Sequence, residues 1–220
     1  MIVNIKTMPK FFLFHLIVLI IAFGCSKRDA PLPSTIAPVQ NEYSNAYPLA
    51  PGNYWIYRTH NFTPEGEQKF ENTDSVWIEK DTIINKKRYF IERSTAYWPL
   101  KRLLHDSAGS VISELAGIKE VIFSSNLKDT LLKQTPYYRL NVDKGKEIQV
   151  LAGRFPTINC ILLYKLDKAT GITHDHPLYN ADFMIIEQLL YANNVGLVKD
   201  VSYYVGNTIE KRLERYSVKK

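Results

Sequence analysis

The chain has 220 residues, 45% hydrophobic and 12% aromatic, with 28 Lys and Arg against 22 Asp and Glu for a net charge of +6. That length supports a single domain with a sizeable core. Charges of both signs alternate, as in Lys119-Glu120, Lys128-Asp129 and Lys146-Glu147, which reads as a solvated surface and excludes the basic stripe of a nucleic-acid binder.

The first segment has the three parts of a secretion signal. Lys6 and Lys10 give positive charge, and Phe11–Phe23 is apolar except for His15. Thirteen residues fall short of the ~20 that a helix needs to cross a bilayer of ~30 Å. Small Gly24 then precedes Cys25, with Ala22 three positions before it. Ala22-Phe23-Gly24-Cys25 resembles the bacterial lipobox, where the thiol is acylated and the chain is cut just before it. The expected organisation is a signal peptide over 1–24, a lipidated Cys25 with a Pro-rich tether over 25–46, and one β-rich domain over 47–220. Loss of Lys6 and Lys10 with the leader lowers the net charge from +6 to +4. Met8 is an alternative start that keeps a basic residue ahead of the apolar run. If lipid takes the Cys25 sulfur, Cys160 has no disulfide partner, and its apolar run marks it as a small buried hydrophobe.

Beyond the tether, short alternating runs separated by turn residues read as strands. Asn53–Phe62 leads through Thr63-Pro64-Glu65-Gly66 into Ser75–Ile84, and Asn85-Lys86 turns into Arg88–Ala96. Lys101–His105 and Ser110–Leu115 flank a hairpin loop at Asp106–Gly109. Lys119–Phe123, Tyr137–Val142, Glu147–Leu151 and Ile158–Leu166 follow. Leu197–Val205 and Thr208–Val218 are joined at Gly206-Asn207, a two-residue loop suited to a tight hairpin. Weak helix signals occur only at Leu127–Gln134 and Asp182–Leu190. Ten to twelve antiparallel strands in about 175 residues must curl or stack. The expected fold is mainly β, a strongly curved antiparallel sheet forming a half barrel or open barrel with few short helices.

Three segments carry a family resemblance. Pro48-Leu49-Ala50-Pro51-Gly52-Asn53-Tyr54-Trp55-Ile56-Tyr57, Ala152-Gly153-Arg154-Phe155 and Gly196-Leu197-Val198-Lys199 together resemble elements of a group of secreted bacterial lipoproteins of unknown function. The resemblance implies a curved sheet like the half barrels of periplasmic lipoprotein carriers, and no activity. Gly52, Trp55, Tyr57, Gly153 and Gly196 read as structural: turns and bends that feed aromatic anchors into strands.

Chemistry-bearing patterns are sparse. His174-Asp175-His176, with Asp182 nearby, is the one metal-like cluster, and its flanking Gly171, Pro177 and Asn180 also fit a polar loop. His105-Asp106 with Ser107 or Ser110 lacks the Gly-x-Ser-x-Gly elbow of acyl transfer. No catalytic residue and no cofactor is assigned. Tyr137-Tyr138, Tyr203-Tyr204, Tyr97-Trp98 and Trp55 fit either strand packing or a ligand cleft. The expected function is that of a non-enzymatic envelope lipoprotein, tethered through its lipid, facing the periplasm or the surface from the outer membrane. It would bind an apolar small molecule or an envelope protein, with no nucleic-acid partner. The alternatives are a hydrolase or metal-dependent enzyme using His174 and His176, and a structural or assembly component.

Overall fold

The computed structural model describes residues 42–96, 101–115, 118–125, 130–134, 137–166, 183–204 and 206–219. The described residues belong to one compact unit, Gln40–Lys220. They build twelve strands: β1 Tyr54–Phe62, β2 Gln68–Ile84, β3 Lys87–Ser94, β4 Lys101–Ser107, β5 Ser110–Leu115 and β6 Ile118–Ser124. The second half supplies β7 Thr130–Gln134, β8 Tyr137–Val150, β9 Gly153–Lys165, β10 Phe183–Ala192, β11 Gly196–Tyr204 and β12 Asn207–Ser217.

All twelve join one open antiparallel sheet ordered β6-β5-β4-β3-β2-β1-β12-β11-β10-β9-β8-β7. Sequence neighbours pair throughout, except that β1 pairs with β12 and the consecutive strands β6 and β7 stand at the two free edges. The sheet is strongly curved. Phe123 on β6 and Tyr191 on β10 lie eight strands apart, about 38 Å in a flat sheet, yet their rings are 4.9 Å from each other. Side chains bridge the free edges: Arg139 on β8 meets Glu120 on β6 at 2.9 Å, and the Asn141 amide donates to Ser124 O at 3.0 Å.

Turn chemistry accounts for the hairpins. Asn85 and Lys86 both take positive φ (50° and 65°), as do Ala108 and Gly109 (51° and 80°), the geometry that matches strand twist in a two-residue loop. The last hairpin sits one residue earlier than the sequence suggests: Tyr204 pairs with Asn207, and Gly206 between them takes φ 86°. Asp143 and Gly145 are left-handed as well (50° and 81°), but they bulge one long strand, β8, instead of separating two. The two weak helix signals are also overturned. Thr130–Gln134 and Phe183–Ala192 are strands, and no helix occurs among the described residues.

The core lies on the concave side, where alternate residues point inward. Trp55 and Tyr57 on β1, Ile78 on β2, Leu104 on β4, Ile158 and Cys160 on β9, Tyr191 on β10 and Leu213 on β12 are all buried. Tyr43 and Ala46 join them at 3% and 0% exposure, so packing begins upstream of Tyr47. The Tyr43 hydroxyl donates to Thr157 O and accepts from Gly145 N–H. Residues 42–53 thus lie across one end of the half barrel, here called the plugged end.

Candidate functional site

The concave face encloses a cavity of about 530 Å³. Its floor is aromatic and its geometry depends on a clamp at the plugged end. Trp55, 2% exposed, donates its indole N–H to Val195 O at 2.5 Å, and the Tyr57 hydroxyl donates to Leu197 O at 3.1 Å. Between those acceptors sits Gly196 at φ 109°, where a Cβ would lie 2.8 Å from the indole nitrogen. Only glycine lets the ring lie that close to the chain. Asn45 ties the same turn down through Asn193 and Asn194. Asn194 itself is left-handed at φ 58°.

The other motif glycines serve the same scaffold. Gly52, at φ 89°, donates its N–H to Ile78 O. Fully buried Asn53 caps both termini of the domain, donating to Pro48 O and accepting from Lys219 N–H. Gly153, at φ 138°, opens β9 against the Phe155 ring. Its neighbour Ala152 donates to Leu213 O, and Phe155 packs edge-on against Tyr216. The three segments with the family resemblance therefore converge on β1, β12 and the β10–β11 turn.

Above this floor the cavity is charged. Glu92, its side chain 2% exposed, accepts from the Tyr47 hydroxyl and from Arg102, whose Nε lies 2.7 Å away. Burial, and then the Glu92 charge, push the Tyr47 hydroxyl well above its ordinary range. Burial opposes the Arg102 charge, but Tyr47 and Glu92 outweigh it and the guanidinium is held more firmly protonated. Arg139 faces Glu120 at 2.9 Å and Glu187 at 4.0 Å. Lys211 meets Asp74 at 3.5 Å, and Thr59 donates to the same carboxylate. Glu187 is pushed up to about 7, first by burial and then by the charge of Asp200, with Arg139 pulling the other way. Burial also raises Asp200.

These residues come from β2, β3, β4, β6, β8, β10, β11 and β12, and sequence reasoning missed them. A single charged residue in an alternating strand reads as solvent-facing. Glu120, taken from sequence as surface charge, is 52% exposed and also borders the cavity. The cavity thus combines an aromatic floor with paired charges.

Of the aromatic candidates, Trp55 lines the cavity, whereas Tyr137, Tyr138, Tyr203 and Tyr204 sit at the strand ends opposite the plug. Tyr97 and Trp98 lie outside the described residues. So do Cys25, His174, His176 and Asp182. Among the described residues, no group of three or more His, Cys, Asp and Glu is placed to hold a metal ion. His105 bonds to Glu114, Lys87 and Asp106 O, while Ser110 donates to Ser124. The structure therefore does not assemble the acyl-transfer set considered from sequence. Cys160 is 1% exposed, and burial raises its thiol pKa, which suits packing and not nucleophilic attack.

No family model and no curated protein matches the chain. Among solved structures, it is similar to a candidate exported protein with a YmcC-like fold from Bacteroides fragilis, at 13% identity and a TM-score of 0.48, covering 77% of this chain and 97% of that one. It is also similar to a candidate lipoprotein from Parabacteroides distasonis, at 12% identity and a TM-score of 0.47, covering 79% of this chain and 98% of that one.

Proposed function

We propose that this chain is an envelope lipoprotein, anchored through Cys25, whose half barrel binds a small amphipathic molecule without transforming it. The cavity carries this reading. About 530 Å³ falls within the ~300–1,000 Å³ of small-molecule sites. Its two chemistries are separated: Trp55, Tyr57 and Tyr191 offer an apolar floor, while Arg139, Glu187, Asp200 and Lys211 offer polar partners nearer the other end. A ligand would place its apolar part on the rings and its polar group among the charges. The anchoring part rests on the leader and on Ala22-Phe23-Gly24-Cys25.

Native mass spectrometry of the full chain purified from its own host tests the binding. The expected result is a retained organic mass that is lost in Leu189→Trp, a substitution that fills the cavity wall. A chain with no retained mass and no affinity for a fluorescent amphiphile such as a naphthylamine dye would overturn the reading. Fractionation tests the anchor: Cys25→Ser should move the protein from membranes to the soluble fraction, since stable anchoring of this kind needs two or more acyl chains. A normally cleaved variant that stays membrane-bound would refute it.

A further inference from the structure

Among the described residues, every cation that lines the cavity already has a carboxylate of its own. Arg102 is held by Glu92 at 2.7 Å, Arg139 by Glu120 at 2.9 Å, and Lys211 by Asp74 at 3.5 Å. Glu187 and Asp200 are left over. Glu187 comes no closer than 4.0 Å to a cation, and that cation is the Arg139 guanidinium that Glu120 already holds. Asp200 makes no ion pair among the described residues and accepts only the Ser202 hydroxyl, at 3.3 Å.

The strand register brings these two carboxylates together. Leu189 pairs with Asp200 and Glu187 with Ser202, so they are diagonal neighbours on the concave face. Such neighbours stand about 7 Å apart at Cβ, a gap that one ammonium closes with an N–H···O bond of about 2.8 Å to each side. Burial and the charge of Asp200 push Glu187 up to about 7, as expected of a carboxylate short of counter-charge. The Tyr191 hydroxyl is a third open group. Tyr191 lines the cavity and is 2% exposed, yet its hydroxyl has no hydrogen-bond partner among the described residues. The charges of Arg139 and Glu187 reach it. A buried hydroxyl left unbonded costs free energy that a bonded ligand atom would offset.

We propose that the polar group bound in this cavity is a primary ammonium held between Glu187 and Asp200, with the apolar part of the ligand on the Trp55 and Tyr57 rings. This rests on the cavity reading and narrows it to cationic amphiphiles. An ammonium has three N–H donors and no acceptor, which matches two carboxylates and one phenolic oxygen. An anionic head group would face both free carboxylates and could reach a cation only by displacing Glu92, Glu120 or Asp74. A bare divalent ion would want six or more oxygen ligands, and no three acidic, His or Cys groups are placed to hold one among the described residues. The net charge of +6 repels cations from the surface at large, so a preference for amines would arise in the site.

Displacement of the neutral dye N-phenyl-1-naphthylamine from the full chain at pH 8 tests the head group. Octylamine, octanol and octanoate serve as competitors, since they share one apolar chain and differ only at its end. The expected result is displacement by octylamine at concentrations at least tenfold below those of the other two. Glu187→Gln and Asp200→Asn should each bring the amine close to the alcohol. The head-group comparison is made on the native chain and stands without the variants. Dye binding with octanol or octanoate competing as well as octylamine would overturn the ammonium and leave the cavity reading intact. An amine preference that both variants retain would overturn it as well. Absence of dye binding, with no heat on titration of any of the three, would remove the cavity reading and this inference together.

Discussion

The clamp at the plugged end and the charged middle of the cavity are built from different interactions. At the clamp, side chains bond to backbone: Trp55 to Val195 O, Tyr57 to Leu197 O, and Asn53 to Pro48 O. Each partner is fixed by the fold, and nothing there changes charge near neutrality. In the middle, side chains bond to one another across strands, and Glu187 titrates near 7. Buried ion pairs offset their desolvation only partly and stabilise little in net terms. The clamp therefore holds the fold, and the cavity charges are the part free to serve a ligand.

The sharpest way to break this contrast is Trp55→Ala. Emptying a buried tryptophan site should cost about 3–5 kcal/mol, read as a shifted urea midpoint by circular dichroism. A loss under about 1 kcal/mol would remove the clamp from the stability argument. Gly196→Ala comes next. Its Cβ would sit 2.8 Å from the indole at a φ of 109°, so strain and steric conflict should cost about 2–3 kcal/mol. In the Trp55→Ala background the steric part disappears, so the double mutant should be more stable than additivity predicts. Strict additivity would show that the ring and the glycine do not act together.

The charged middle should respond to pH. Folded Glu187 keeps its proton up to about pH 7, whereas its ordinary value is 4.5. The folded form binds the extra proton between those values, so this group's contribution to stability falls as pH rises through the window and is fully lost above about 7. Arg139, Glu120, Asp200 and Lys211 face it and stay in place. Glu187→Gln should match the native protein at pH 4 and exceed it by about 1–3 kcal/mol at pH 8, measured as melting temperature against pH. Parallel curves for the two proteins would contradict the buried placement. The smallest effect belongs to the surface. Arg58 and Glu214 form a well-aligned pair at 2.9 Å, but the side chains are 45% and 26% exposed. Arg58→Ala should therefore barely move the melting temperature, and less still at high salt.

Much of the fold was legible because turn chemistry is local. Asn85 and Gly109 mark their hairpins as residues that tolerate left-handed backbone, and Lys86 and Ala108 beside them are carried into it by the turn. β10 was misread for a physical reason. Its first six residues are half-buried and the last four fully buried, so both faces are covered and the strict alternation of a one-sided strand is lost. Phe183, Ile185, Ile186, Leu189 and Leu190 then fit a helical period equally well. β8 was divided because Asp143 and Gly145 look like a turn, when they make a bulge that bends one strand. The cavity charges left no local trace. Glu92 and Arg102 are register partners on β3 and β4, as are Asp200 and Lys211 on β11 and β12, pairings fixed by distant strand registers, and Glu120 meets Arg139 only because the sheet curls.

The pairing of β1 with β12 has a consequence for the chain's route to this structure. Lys219 N–H bonds to the Asn53 side chain, so the end of β12 lies beside the start of β1, while β6 and β7 share no ladder although they are consecutive. The sheet is thus a cyclic order of strands that the natural ends happen to interrupt inside its middle. A circular permutant that opens the chain between Ser125 and Thr130 and links Lys219 to the segment before β1 would run in spatial order from β7 through β12 and β1 to β6. Every ladder would then join sequence neighbours. Contact order would drop sharply, and the permutant should refold faster than the natural chain around the same twelve strands.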